Sequence, residues 1–314
     1  MTEILSNQLV TKKISIGFTD QLLFHELDLH LQAGKLTCLM GPNGIGKSTL
    51  IKTLAGLQHS LAGELIQPGS NNIALVLTDK VTAMNMTVYD LVSYGRYPHV
   101  GWGISFSPHD HQIVEQSICE VHINSLSGKK LEELSDGQLQ LAMIARALAQ
   151  ETPIILLDEP TAHLDLNNRV EIMKLLRKLS RKKNIAILVA THELDLALHL
   201  ADIVWLAAHK KITVGFPEDL VLDNSFDEIF QFKGFDLKTG KIQHELFRKQ
   251  KINLIGSGHE FLWTKNALER EGYTLTEGGA PVEIQTGITP QWKFGDSIFS
   301  TLQQLITAIN SVES

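Results

Sequence analysis

The sequence predicts an α/β fold: a core around a mostly parallel sheet, with an antiparallel β subdomain at its N-terminus, a helical subdomain within it and a small α/β module behind it. Three observations carry this expectation. An apolar run, Lys35–Met40, meets a glycine-rich turn, Gly41–Gly46, that opens directly into a helical pattern, Lys47–Leu57. A second run, Ile154–Leu157, is wholly apolar, as strands covered on both faces are, and ends in the carboxylates Asp158 and Glu159. After about Gly240 the chain changes character, and 314 residues leave room for a second, smaller core.

In chain order, Leu9–Phe18 and Leu22–Leu31 read as strands around the turn Thr19-Asp20-Gln21. Lys35–Met40 and Asn72–Leu77 are buried strand candidates. Val88–Tyr97 and Pro108–Ile118 read as helices, and Leu139–Ala149 as a strongly amphipathic, alanine-rich one. Ile154–Leu157 is a strand. Asn167–Leu179 is a helix whose basic end (Arg177, Lys178, Arg181, Lys182, Lys183) suits the helix dipole. Ile185–Ala190 is a strand, Leu194–Leu200 a helix, and Val204–Leu206 with Lys211–Val214 a closing hairpin. Lys241–Lys251 is polar and basic enough to be a boundary. Ile252–Ile255, Phe261–Glu271, Val282–Gln285 and Ile298–Ile309 follow as strand, helix, strand, helix. The expected domains are therefore residues 1–245 and 246–314, the helical subdomain lying at about Met86–Leu148.

Composition narrows the function classes. A hydrophobic content of 43% with 20% charged residues is that of an ordinary globular protein. The net charge of −7 argues against a nucleic-acid partner, which calls for a basic face. Cys38 and Cys119 lack metal-ligand spacing and read as buried free thiols. Met1–Thr11 has no apolar core of a secretory signal, and no run of about 18 apolar residues exists. Any membrane role would have to come through a spanning partner.

Gly41-Pro42-Asn43-Gly44-Ile45-Gly46-Lys47-Ser48-Thr49 fits the phosphate-loop pattern in full. Glycines let successive backbone N–H groups converge on one anion, and the following helix adds its N-terminal dipole. The pattern calls for Lys47 on the β- and γ-phosphates of ATP and the Ser48 hydroxyl on Mg²⁺. Asp158, at a strand's carboxyl end beside this loop, can hold Mg²⁺ through its shell, and Glu159 can polarise an attacking water.

With these residues in place, the chain resembles the nucleotide-binding subunits of ABC transporters over roughly residues 3–245. The distinguishing element is Leu134-Ser135-Asp136-Gly137-Gln138, which is similar to the family's signature. The resemblance implies that Ser135, Gly137 and Gln138 of one copy close over the γ-phosphate held by a second copy, in a head-to-tail dimer. It places Asp165 in the loop Ala162-His163-Leu164-Asp165, His192 on the γ-phosphate, and Phe18 on the adenine ring. Read from the residues alone, His192 is a structural histidine, and the competing reading of Phe18 is a core aromatic. The catalytic set so implied is Lys47, Glu159 and His192, with ATP and Mg²⁺ as cofactors. Met86–His99 looks like the subunits of importers for iron–siderophore complexes, haem and cobalamin. That implies integral membrane permease subunits as partners, a periplasmic or extracellular binding protein indirectly, and a peripheral place on the cytoplasmic face of the inner membrane.

Two departures stand out. Where the family has a glutamine, this chain has Thr78, followed by Asp79, so Thr78 or Asp79 would take that role, reaching Mg²⁺ through a bridging water. Asp136 replaces the signature's first glycine, and an outward-pointing carboxylate avoids repelling a phosphate. Three further features read as structural: Gly256-Ser257-Gly258-His259 as a strand–helix connection, His109-Asp110-His111 as a solvated loop, and Trp102 and Trp263 as packing residues. The competing functions are a soluble ABC-type ATPase without a permease, and a regulator that closes on ATP without turnover.

Overall fold

A computed structural model describes residues 9–67, 72–77, 85–100, 105–230, 235–237, 241–242, 247–285, 287 and 289–312. It divides into two compact units, Met1–Gln231 and Phe232–Ser314. Thr78, Asp79 and Trp102 lie outside the described residues.

The first unit opens with β1 (Leu9–Phe18), β2 (Gln21–Leu27) and β3 (His30–Leu31), then β4 (Leu36–Met40), α1 (Lys47–Leu54), β5 (Ala62–Ile66) and β6 (Ile73–Val76). β2, β3 and β5 each pair antiparallel with β1, forming a four-stranded layer. The single strand expected over Leu22–Leu31 is broken between β2 and β3. There the Thr11 hydroxyl donates to the Leu27 carbonyl and accepts from the Leu29 N–H, replacing ladder bonds. β5 was not anticipated, because Ala62–Ile66 is exposed or half-buried throughout and shows no apolar run.

Next come α2 (Val88–Ser93), α3 (Pro108–Glu120), α4 (Asp136–Ala149), β7 (Ile154–Asp158), α5 (Leu166–Lys183), β8 (Ala186–Ala190), α6 (Leu194–Leu200), β9 (Ile203–Ala208), β10 (Lys211–Gly215), α7 (Pro217–Leu222) and α8 (Ser225–Phe230). The main sheet has the order β10-β9-β4-β8-β7-β6, parallel except for the β9–β10 hairpin. β4, β7 and β8 are buried at every position, which explains their unbroken apolar sequences. Leu50, Ile51 and Leu54 of α1 share one core with Leu9, Ile16 and Phe24 of the antiparallel layer and Leu39, Leu156 and Leu188 of the main sheet. The phosphate-loop helix is thereby fixed between two sheets.

α2, α3 and α4 pack on one another. The helix expected over Val88–Tyr97 becomes a 3₁₀ turn from Tyr94 to His99, which carries Pro98, a residue with no N–H to donate. His109-Asp110-His111 is the first turn of α3 rather than a solvated loop. Asp110 accepts from the N–H and hydroxyl of Ser107 and from Arg96 Nε, so the acid is buried and paired. Cys38 is buried in β4, where burial first and the Asp202 charge second push its thiol up to about 12. Cys119 is exposed, correcting the expectation of two buried thiols: it lies two residues past Ser117, on the outer face of α3.

The second unit contains β11 (Phe235–Asp236), β12 (Lys241–Ile242), β13 (Lys251–Ile255), α9 (Gly258–Arg270), β14 (Thr274–Leu275), β15 (Ala280–Gln285), β16 (Gln291–Phe294), β17 (Ser297–Phe299) and α10 (Leu302–Val312). Its larger sheet runs β14-β13-β15-β16-β17. Ile252, Val282 and Trp292 face a core completed by Leu268 of α9 and by Leu305 and Ile309 of α10. The helix expected over Ile298–Ile309 is a strand followed by a helix. The Ser300 N–H donates to Gln304 Oε1, and Gln304's N–H donates to the Thr301 hydroxyl, a start signal inside the apolar run. Gly256-Ser257-Gly258 connects β13 to α9, as expected. Trp263 is 64% exposed on α9 and is not a packing residue there.

Candidate active site

The carboxyl ends of β4, β8 and β7, adjacent in the sheet, deliver the loop at Gly41, His192, and Asp158 with Glu159. Gly41 must be glycine because its φ is +155° and a Cβ there would lie 2.6 Å from the Ala207 carbonyl oxygen of β9. Gly46, at the N-cap of α1 with φ +108°, would crowd Leu23 and Phe24. Pro42, Asn43, Gly44 and Ser48 are exposed; Ile45 and Thr49 are half-buried. The Lys47 ammonium donates to the carbonyls of Gly41 (2.9 Å) and Pro42 (3.3 Å), lying across the mouth of its own loop. Burial pushes its pKa below the ordinary value, opposed by the charges of Glu159 and then Asp158.

Asp158 ends β7 and is buried. Burial raises its pKa, the Ser48 hydroxyl bonded to its carboxylate lowers it, and the Glu159 charge raises it again. The loop and the strand end thus present a hydroxyl and a carboxylate together, hard oxygen donors of the kind Mg²⁺ selects. Among the described residues no group of three His, Cys, Asp or Glu side chains gathers as a metal site.

Glu159 leaves the strand in the left-handed region, φ +49°, held by its N–H on the Ala190 carbonyl of β8 at 2.9 Å. This turn brings its Oε2 to 3.1 Å from His192 Nδ1. Glu159 therefore meets Lys47 through charge and His192 through a hydrogen bond.

Ser135 is the N-cap of α4. Its hydroxyl accepts from the Gln138 N–H, and Gln138 Oε1 accepts from the Ser135 N–H. These bonds close on each other as a capping box. Gly137 is buried, and a Cβ on it would press on Asn168. Asp136 is exposed in the first turn, consistent with an outward carboxylate. Asp165 caps α5, accepting from the Asn168 N–H and side-chain amide. Phe18, the last residue of β1, is 50% exposed, so its ring is free of the core.

Two residues near the site escaped sequence reasoning. Glu193, beside His192, puts Oε1 3.6 Å from His192 Nε2, and Arg169 NH1 donates to that same oxygen at 2.5 Å. Arg169 Nε also donates to the Leu164 carbonyl at 2.6 Å. Arg169 lies on α5 and Glu193 is the N-cap of α6, and the packing of α5 against α6 and β8 joins them. The acidic neighbour of His192 was the one local signal.

The ABC transporter family matches residues 24–162, and the iron ABC transporter C-terminal domain matches residues 249–310. An ABC transporter ATP-binding protein of Methanocaldococcus jannaschii is 35% identical over 258 residues, 76% of this chain and 89% of that protein. The iron(3+)-hydroxamate import ATP-binding protein of Bacillus subtilis is 32% identical across 78% of this chain and 98% of its own length. The ferric enterobactin transport ATP-binding protein of Escherichia coli is 33% identical across 73% and 89%. Among solved structures, an inward-facing transporter described as of metal-chelate type aligns with TM-score 0.66 and 28% identity, over 71% of this chain and 88% of that one.

Proposed function

The chain belongs to the family of ABC transporter ATP-binding subunits, and from that premise we propose that it hydrolyses ATP to drive uptake of an iron chelate of the siderophore type. The observation that carries the hydrolytic reading is the turn at Glu159, which sets a carboxylate against His192 beside a phosphate loop. The iron-chelate cargo is supported by the match of residues 249–310 and by relatives named for iron-hydroxamate import and ferric enterobactin transport. Haem and cobalamin are the other cargoes the sequence suggested.

In this reading the backbone N–H groups of the loop after Pro42, Asn43–Ser48, cradle the β-phosphate. ATP offers the Lys47 ammonium better acceptors than the Gly41 and Pro42 carbonyls it now holds. Burial of Lys47 strengthens that attraction, since little water competes. Phe18 presents its exposed ring to adenine. Glu159 orients the attacking water and receives its proton, while His192, tethered through Nδ1, turns Nε2 toward the γ-phosphate. Ser48 and Asp158 would hold Mg²⁺, which would supply neutralisation of phosphate charge. Thr78 keeps the metal role proposed for it from sequence. A second copy completes the site, head to tail, with its own Ser135, Gly137 and Gln138, and Asp165 at the seam.

The permease partner is assigned to a groove of about 440 Å³ lined by Tyr89, Tyr94, Tyr97 and Phe106. Tyr94 and Tyr97 stack on each other, 5.0 Å between centroids, while nearly half exposed, an arrangement suited to receiving a partner segment. Such docking, with a binding protein on the far side of the membrane, places the chain peripherally on the cytoplasmic face. Glu159→Gln, which traps ATP, should copurify from detergent-solubilised membranes with a polytopic membrane protein. Adding Tyr94→Ala and Tyr97→Ala should abolish that capture while ATP binding persists. Recovery from the soluble fraction alone, or with ribosomes or nucleic acid, would overturn the transporter reading.

A further inference from the structure

The His192 ring lies between two carboxylates. Nδ1 is 3.1 Å from Glu159 Oε2, and Nε2 is 3.6 Å from Glu193 Oε1, just outside hydrogen-bond reach. In the proposed reaction Nε2 serves the γ-phosphate, so Glu193 is a built-in competitor for the same nitrogen. The oxygen that would compete, Oε1, is the one occupied by the Arg169 guanidinium at 2.5 Å. The Glu193 backbone is held as well, its N–H donating to the Thr191 hydroxyl at 3.0 Å. Arg169 is itself anchored, since its Nε donates to the Leu164 carbonyl at 2.6 Å, one residue before Asp165.

We infer that Arg169 is a positioning residue for hydrolysis: it holds and neutralises Glu193, and so keeps His192 Nε2 open to the phosphate. The arrangement follows from charge and geometry. A carboxylate paired with a planar, permanently charged guanidinium has lost most of its pull on a neighbouring N–H donor. An unpaired carboxylate at this separation needs a side-chain shift of under an ångström to capture the ring. Arg169 also joins the Leu164–Asp165 loop to the His192 loop. A displacement of the first, where the second copy is proposed to meet this one, is therefore transmitted to the ring through two hydrogen bonds and a carboxylate.

This inference rests on the hydrolytic roles proposed for Glu159 and His192, and its test separates the two. Arg169→Gln keeps an amide donor for the Leu164 carbonyl but removes the charge. Its kcat should fall by about tenfold or more, with KM for ATP nearly unchanged, because the affected contact belongs to the reacting phosphate. Adding Glu193→Gln should restore most of that loss, since the competitor is then gone, and Arg169→Lys should retain more activity than Arg169→Gln. Independently of turnover, the imidazole NMR signal that disappears in His192→Gln should shift in Arg169→Gln and return in the double variant. An unchanged kcat in Arg169→Gln, or a double variant as slow as the single one, would overturn the inference and leave Arg169 as a loop brace. If wild type and Glu159→Gln turned over equally in the same assay, the hydrolytic reading itself would fall.

Discussion

Gly41 and Gly44 sit in one loop and are glycines for different reasons. Both have positive φ, +155° and +78°, but a Cβ on Gly41 meets the Ala207 carbonyl at 2.6 Å while one on Gly44 meets nothing within 4 Å. Gly44→Ala should therefore cost only backbone strain, about 1–2 kcal/mol. Gly41→Ala should cost about 2–4 kcal/mol, because strain is added to a collision with the central sheet. Urea unfolding of the two variants would measure the difference, and equal losses would refute the packing argument. The loop itself was legible from sequence, since its chemistry requires glycines and a lysine at fixed spacing. The same holds for Asp158, Glu159 and His192, each placed by the end of an apolar strand. Arg169 and Glu193 were not legible: their partnership spans 24 residues and depends on α5 packing against α6 and β8. Thr78 stays a proposal from position alone.

At the level of elements, α3 shows how one buried acid organises a subdomain. Asp110 closes a capping box with Ser107 and pairs with Arg96, which is 3% exposed and also donates to the Ala149 carbonyl and Glu151. The Ser107 hydroxyl and backbone N–H hold the Asp110 carboxyl well below the usual carboxylate range, burial opposes them, and Arg96 adds to the depression. A depressed folded pKa means stability present above the unfolded value of 3.8 and lost as pH falls through the lower, folded one. Asp110→Asn should thus cost about 1–3 kcal/mol at pH 7, and the gap from wild type should close as pH drops below about 4. A gap that persists unchanged in acid would mean that the charge contributes nothing. Periodicity revealed α3 and α4, whose apolar faces are continuous. It failed over Ile298–Ile309, where β17 and α10 are both apolar and the break rests on Thr301 and Gln304. It also failed for β14 and β16, of two and four residues, too short to show a period.

For the whole molecule, the change in composition after Gly240 announced a second module, while the compact units of the structure divide at Gln231 and Phe232. The polar run Lys241–Lys251 marks a change of character without showing where contacts thin out, which is a property of tertiary structure. Each unit has its own apolar core, so each should answer to a different perturbation. ATP binds the loop of the first unit. At about a hundred times its Kd it should add roughly 2.7 kcal/mol to that unit, in the Glu159→Gln background where it is not consumed. Trp292 is buried in the second core, and its Nε1 donates to the Thr264 hydroxyl at 2.7 Å. Trp292→Ala should remove about 3–5 kcal/mol there, a large share of what a unit of that size holds in reserve. Scanning calorimetry should then resolve two transitions. Only one should rise with ATP, only the other should fall with Trp292→Ala, and ATP turnover should survive the substitution. A single transition moved by both would show that the two cores melt as one cooperative body.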